Sequence, residues 1–327
     1  MDFAGLRKTF GLRTLFSYLN IQMKTDSLHS DYSTRVAVID LGTNTFNLLI
    51  ADVFAATFDV IHSEKEGVAL GMGGINQGII ASDAFQRGLL AIKRFAQKCA
   101  SFQVEEIRAF GTSALRGAKN SDDFLREIKN QTQIDIQIIS GEDEATLIYR
   151  GVKWSYDFNE RAAIMDIGGG STEFIIANID GIEDKVSLDI GVSRIFQDLT
   201  LHDPLTTDDI LKVENWLQAR SKDFFKNKQC DILIGASGSF ETFHEMIHDA
   251  PFPIGIASQE IQMEDLNRIL DWILESNQQE RDEHPFIIPI RRKMAPIAAI
   301  KTRWVMKNLE VKRVFVSPCS LKEGGLL

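Results

Sequence analysis

One short pattern occurs twice in this chain: an apolar strand ending in aspartate, a turn that opens Asp-x-Gly, and a second strand. The first copy runs Val36-Ala-Val-Ile-Asp40, then Leu-Gly-Thr-Asn-Thr45, then Phe46-Asn-Leu-Leu-Ile-Ala51. The second runs Ala162-Ala-Ile-Met-Asp166, then Ile-Gly-Gly-Gly-Ser-Thr172, then Glu173 to Ala177. The two aspartates are 126 residues apart. Duplicated units that each begin with an antiparallel hairpin restrict the chain to two like α/β domains facing each other across a cleft. A length of 327 residues agrees, being too long for one compact core.

Apolar spacing predicts helices at 84–102, 122–129 (behind Ser121 as its cap), 142–152, 206–222, 238–248, 262–276 and 292–308. Further strands are expected at 57–62, 106–110, 134–139, 186–190, 231–235 and 312–316. On this reading residues 33–142 with about 317–327 form the first domain, and 143–316 the second. Residues 1–32 stand apart as an extension, either a disordered tail or a start assigned upstream of the true one at Met23. Leu6 to Phe16 is basic and apolar, but it lacks the apolar run and small-residue cleavage site of a secretory signal.

The turns carry the chemistry. Glycines let the backbone approach a phosphate and aim several N–H groups at its oxygens, and Ser and Thr hydroxyls add donors. Gly42, Thr43, Asn44 and Thr45 offer this in the first copy; Gly168, Gly169, Gly170, Ser171 and Thr172 offer it in the second. An aspartate at the strand end can hold Mg²⁺, which offsets charge on a transferring phosphoryl group. No GxxxxGK[ST] loop is present, and a strand rather than a helix follows each turn, so neither is a Walker or Rossmann loop. Gly235-Ala-Ser-Gly-Ser239 follows a strand and opens a helix, which makes Ser237, Gly238 and Ser239 candidates at an anion-binding helix start. Leu70-Gly-Met-Gly-Gly74 reads as a flexible loop in a polar connector.

Composition narrows the partners. Hydrophobic content of 44% and charged content of 25% are those of a soluble globular protein. No window approaches the ~18 apolar residues of a membrane helix. Three widely spaced cysteines point to a reducing compartment, hence the cytoplasm. A net charge of −10 argues against nonspecific nucleic-acid binding. Between 290 and 322, however, nine Lys and Arg stand against one acid, Glu310, a local excess suited either to a polyanionic ligand or to a helix face beside an acidic surface.

Five segments in this order, Asp40-Leu-Gly-Thr-Asn-Thr45, Gly111-Thr-Ser-Ala-Leu-Arg116, Ile139-Ser-Gly-Glu-Asp-Glu-Ala145, Asp166 to Glu173 and Gly235-Ala-Ser-Gly238, give the chain from about Arg35 onward a specific resemblance. It resembles the exopolyphosphatase / guanosine pentaphosphate phosphohydrolase (Ppx/GppA phosphatase) family. The resemblance implies an actin-like, ribonuclease-H-related fold, Mg²⁺ dependence, and release of terminal phosphate from inorganic polyphosphate or guanosine pentaphosphate. A homodimer is a further expectation of the resemblance. It also implies roles: Glu144 as general base toward the attacking water, Asp166 and Glu173 at the metal and water site with Asp40 assisting from the opposite domain, and Arg116 neutralising a phosphate. The residues alone leave Glu144 open, since Glu142, Asp143 and Glu144 are also first-turn acids that a helix dipole favours. Two departures bear on how distant phosphates are held: Lys322 stands where the family has Arg, and Met294 where it has Asp. Thr43 and Thr45 replace the more usual serines but keep the hydroxyls.

His244-Glu-Met-Ile-His248 satisfies the HExxH zinc pattern, but Pro251 stands where the extended form needs Gly. The hydrolase expectation therefore competes chiefly with an actin-like ATPase or sugar kinase, which shares both Asp-x-Gly turns, and with a non-catalytic alarmone-binding sensor.

Overall fold

The computed structural model describes residues 33–327 with the exception of 56, 222, 237, 254 and 256. The N-terminal extension expected at 1–32, and Ser237 among the candidate phosphate ligands, lie outside the described residues. In chain order the first half contains β1 (Thr34–Leu41), β2 (Thr45–Val53), β3 (Phe58–Gly67), α1 (Ser82–Ser101), β4 (Glu106–Gly111), α2 (Ser113–Arg116), α3 (Ser121–Thr132) and β5 (Ile136–Ile138). α4 (Gly141–Ser155) leads to β6 (Ala162–Ile167), β7 (Thr172–Asn178), β8 (Gly181–Leu188), α5 (Val192–Asp198), α6 (Thr207–Arg220), β9 (Ile232–Gly235) and α7 (Gly238–His248). The rest is β10 (Gln259–Ile261), α8 (Met263–Glu275), α9 (Gln278–Glu283), α10 (Ala295–Leu309), β11 (Arg313–Val316) and α11 (Leu321–Gly324).

Two sheets result, ordered β3-β2-β1-β4-β5 and β10-β11-β9-β6-β7-β8. Each has an antiparallel three-strand meander followed by two parallel strands, so β1, β2, β3, β4, β5 correspond to β6, β7, β8, β9, β11. The correspondence reaches detail. Asp40 lies opposite Asn47 and Asp166 opposite Glu173, and the meanders shift register between Ile50 and Ala51 in one sheet and between Ile176 and Ala177 in the other.

The central strands are apolar on both faces because both faces are covered. Ala37, Ile39 and Leu41 join the core under α1, while Val36 and Val38 face Leu326 and Trp154. Likewise Ala163, Met165 and Ile167 face the large core under α10, and Ala162 and Ile164 face Ala145, Ile148 and Val152 of α4. Phe46 and Phe174, fully buried on corresponding sheets, each contribute roughly 1.5–3 kcal/mol relative to exposure.

The inner layer is α4 packed against α11, which in turn rests on β1 and β2. Their crossing depends on Gly151 and Gly324: a β-carbon on either would collide with backbone, Ser320 O in one case and Leu147 O in the other. This close crossing fixes the helix whose first turn carries Glu144.

Some expectations change. β8 begins at 181, not 186, because its first half is polar and gives no apolar run. β3 extends to Gly67 for the same reason. Asn120, not Ser121, occupies the cap position of α3, and Ser121 Oγ instead donates to Ala118 O. Segment 70–74 is not a free loop: Leu70 is fully buried, and Gly71 N donates to Thr43 O of the first turn. Among the described residues no helix is long and apolar enough to cross a membrane.

Candidate active site

A cavity of about 190 Å³ lies between the sheets, lined by both Asp-x-Gly turns, the start of α7 and the first turns of α4 and α11. In the first turn Gly42 N donates to Thr45 O, and Asn44 O accepts from Val68 and Ala69. In the second, the carbonyls of Gly168, Gly169 and Gly170 accept from Val192, Ser193 and Gly191, so the start of α5 braces the turn from behind. The turns meet at the cavity floor: a β-carbon at Gly170 would lie 2.6 Å from both Thr43 Oγ1 and Ser113 Oγ. Those two hydroxyls are buried and have no hydrogen-bond partner among the described residues. Buried hydroxyls without partners are costly unless a ligand or water satisfies them, so both are open to a group that enters the cavity. Thr43 was expected from the sequence. Ser113 was not; its signal lay in the Gly111–Arg116 segment, from which only Arg116 was drawn.

Five acids line this cavity: Asp40, Glu144, Asp166 and Glu173 around the two turns, and Glu241 at the start of α7. Glu144 is 7% exposed, whereas Glu142 and Asp143 beside it are exposed. The first-turn acids thus divide: two serve the helix end, and Glu144 turns inward. Arg116 Nη1 donates to Glu144 Oε2 at 3.0 Å and to Ile139 O at 2.9 Å, so the arginine aligns the carboxylate. Burial, and then the charge of Glu173, hold the Glu144 carboxyl well above its usual range against the pull of Arg116. Asp166 accepts from Ser320 Oγ at 2.7 Å and is pushed up to about 8 by burial and then by Glu173. Glu173 accepts from Ser187 Oγ at 2.7 Å and is also raised by burial. Asp40 accepts from Asn47 Nδ2 at 2.8 Å and is pushed up to about 6, again chiefly by burial.

Acids this crowded fit a cation. Among the described residues no three His, Cys, Asp or Glu form a ready metal cage. Mg²⁺ does not require one, since it keeps several waters and typically takes one or two carboxylates plus substrate phosphate oxygens. Asp166 and Glu173 suit that role.

Gly42, Thr45, Gly168, Gly169, Ser171, Gly238 and Ser239 also line the cavity, as expected. Thr172 does not. It points to the opposite side of its strand from Glu173, is fully buried, and its Oγ1 accepts from Lys301 Nζ. Arg116 stands behind Glu144 rather than on the cavity wall. Asn44 lines the cavity, but its amide is committed: Oδ1 accepts from Ser193 Oγ at 2.6 Å and Nδ2 approaches Met294 Sδ at 3.8 Å. Met294 therefore fills the position of the expected acid as a weak acceptor, still tying the first turn to α10.

The basic 290–322 stretch forms no single surface. Arg291 and Lys322 reach the cavity, Lys301 is buried beneath the second turn, and Arg303, Lys312 and Arg313 pair with Asp271, Asp231 and Glu260. Its charge density arises from residues that point in different directions from a helix and a strand. His244 and His248 pack with ring centroids 4.2 Å apart and planes tilted by 43°, and His244 packs edge-on against Phe252.

Residues 49–327 match the model of the Ppx/GppA phosphatase family. The chain belongs to this family. It is 26% identical over 300 residues to Exopolyphosphatase 1 of Mycobacterium leprae, covering 90% of this chain and 88% of that one. It is 34% identical over 219 residues to the bifunctional 3-dehydroquinate synthase/phosphatase of Fusobacterium nucleatum, a match covering 63% of this chain but only 33% of that longer protein. The crystal structure of an exopolyphosphatase from Cytophaga hutchinsonii superposes with a TM-score of 0.86 at 35% identity, covering 89% of this chain and 96% of that one. The two-sheet architecture is the actin-like fold of the family.

Proposed function

We propose that the chain is a phosphohydrolase that releases the terminal phosphate of inorganic polyphosphate by attack of a water that Glu144 deprotonates, with Mg²⁺ as its cofactor. The setting of Glu144 carries this reading. A buried carboxyl raised above its ordinary range is matched to taking a proton near neutral pH, and Arg116 fixes its direction. The phosphate end would rest on the N–H groups of the two glycine turns and on the hydroxyls of Thr43 and Ser113, donors already placed and buried. Asp166 and Glu173 would hold Mg²⁺, with Asp40 assisting, and the ion would offset charge on the transferred phosphoryl group. Polyphosphate is favoured by the mycobacterial and Cytophaga relatives, both of which are exopolyphosphatases. The cavity, about 190 Å³, is below the ~300–1,000 Å³ typical for drug-sized ligands, which suits the end of a thin phosphoryl chain. Guanosine pentaphosphate remains a second substrate on this reading, its phosphates entering and its nucleoside staying outside.

Phosphate release from long-chain polyphosphate and from guanosine pentaphosphate, with and without Mg²⁺, tests the proposal. No release from either with Mg²⁺ present rejects it; sugar phosphorylation by ATP, or tight alarmone binding without turnover, would identify a kinase or a sensor instead. Glu144→Ala is expected to lower kcat by about 10³-fold while polyphosphate still binds. Near-normal turnover in that variant would remove Glu144 from the mechanism.

A further inference from the structure

The cleft holds an acid among its cations. Glu241, in the first turn of α7, has its Oε2 2.6 Å from Nζ of Lys65, which projects from β3 in the other sheet. Arg291 and Lys322 line the same cavity. Arg291 is anchored by donation from Nη1 to Thr242 Oγ1 at 2.8 Å, and its guanidinium lies so close over the start of α7 that a β-carbon at Gly238 would collide with it. Lys322 pairs with Glu323 at 2.6 Å. Burial pushes the Glu241 carboxyl up, yet Lys65, Arg291 and Lys322 together outweigh burial and hold it below its usual range. Three cations from three separate segments therefore act on one carboxylate, and the Lys65 contact joins the two sheets across the cleft.

We propose that Glu241 is an internal stand-in for substrate, occupying the cation-lined stretch that the second and later phosphoryl groups of a polyanion would take. This rests on the phosphohydrolase reading above. A chain of phosphoryl groups brings several linked negative charges to Lys65, Arg291 and Lys322, so it can displace one carboxylate from Lys65. A single phosphate held at the two glycine turns cannot reach that far. Glu241 thus acts as a specificity-determining residue: a chain long enough to meet all three cations displaces it, a shorter chain that meets Lys65 alone is held more weakly, and orthophosphate at the glycine turns is unaffected by it.

The test uses the full chain, tripolyphosphate and orthophosphate as probes, calorimetric binding in a metal chelator, and phosphate release with Mg²⁺. Glu241→Gln keeps size and hydrogen bonding but removes the competing charge. It is expected to tighten tripolyphosphate binding and lower KM by at least about threefold, with kcat within about twofold. Lys65→Met is expected to weaken binding by about tenfold whether residue 241 is Glu or Gln. Unchanged or weaker binding in a Glu241→Gln variant that melts like the native protein overturns the proposal, because a purely structural cross-cleft contact would behave that way. If Glu241→Gln fails to fold, unchanged tripolyphosphate binding in Lys65→Met overturns it equally. Absence of polyphosphate turnover in a native protein that binds tripolyphosphate sinks the phosphohydrolase reading, while the calorimetric comparison still decides the role of Glu241. Absence of binding in native and variant proteins alike overturns both.

Discussion

The two Asp-x-Gly hairpins share register and even the position of a downstream bulge, but they differ at the residue facing the aspartate. Opposite Asp40 stands Asn47, whose amide donates to the carboxylate; opposite Asp166 stands Glu173, a second acid. The consequence is electrostatic. Asn47 lowers the Asp40 carboxyl, leaving it at about 6, whereas Glu173 raises Asp166 further, to about 8. The residue just before each facing residue differs too: Phe46 is ordinary apolar core, while Thr172 accepts a hydrogen bond from Lys301, a buried amine that burial holds down to about 7. One copy satisfies its aspartate internally. The other accumulates like charges that an incoming cation can relieve, so on the proposed function the second hairpin would be the chemically active half and the first a phosphate rest.

Making the second hairpin like the first should produce the largest effect. Glu173→Asn gives Asp166 the neutral partner that Asp40 already has, and it removes one carboxylate of the proposed Mg²⁺ pair. Polyphosphate turnover is expected to fall about 10³-fold, measured as phosphate release at saturating substrate and Mg²⁺. A loss of less than about tenfold would mean that the asymmetry between the hairpins is incidental to the chemistry.

This asymmetry was partly visible in the sequence. The repeat could be read because a strand ending in aspartate and a glycine turn are local patterns. Glu173 was found through the family resemblance of the Asp166 to Glu173 segment. What could not be read depends on contacts between distant segments. Ser113 becomes a candidate ligand only once Gly170 arrives beside it, and Glu241 meets Lys65 only when the two sheets face each other. Thr172 was misread because turn residues look alike until strand alternation assigns each a side. The basic 290–322 stretch stayed open between two readings for a related reason: neighbours in sequence on a helix and a strand need not share a surface. Short helices such as α2, α5 and α11 escaped because four to seven residues are too few to display periodicity.

The stored repulsion should also appear in stability. A carboxyl raised in the fold binds its proton more tightly there than in the unfolded chain, so its contribution is full below the ordinary value of 3.8 and is lost as pH rises through the folded value. From 3.8 to about 6, Asp40 loses at most ~3 kcal/mol; from 3.8 to about 8, Asp166 loses at most ~6 kcal/mol. Asp40→Asn and Asp166→Asn are therefore both expected to be more stable than the native protein at pH 9 in metal-free buffer, the second by the wider margin. Below pH 4 the advantage should vanish for both. Urea unfolding across this range checks it, and equal gains for the two variants would contradict a second hairpin under greater electrostatic load.

The smallest effect is expected where the first hairpin loses its internal solution. Asn47→Ala removes the amide that donates to Asp40 at 2.8 Å but adds no charge. Losing one hydrogen bond to a charged group costs roughly 1.5–3 kcal/mol when nothing replaces it. Here the cleft can admit water, so the lower end applies. The Asp40 carboxyl should rise above about 6, because the bond that lowers it is gone. Turnover should drop less than about tenfold, since Glu144, Asp166 and Glu173 keep their contacts. Carbon-detected NMR titration of the Asp40 carboxyl, alongside phosphate release, reads both quantities. A collapse of activity comparable to that of Glu173→Asn would show that the first hairpin does chemistry as well, and the division between resting and reacting copies would have to be withdrawn.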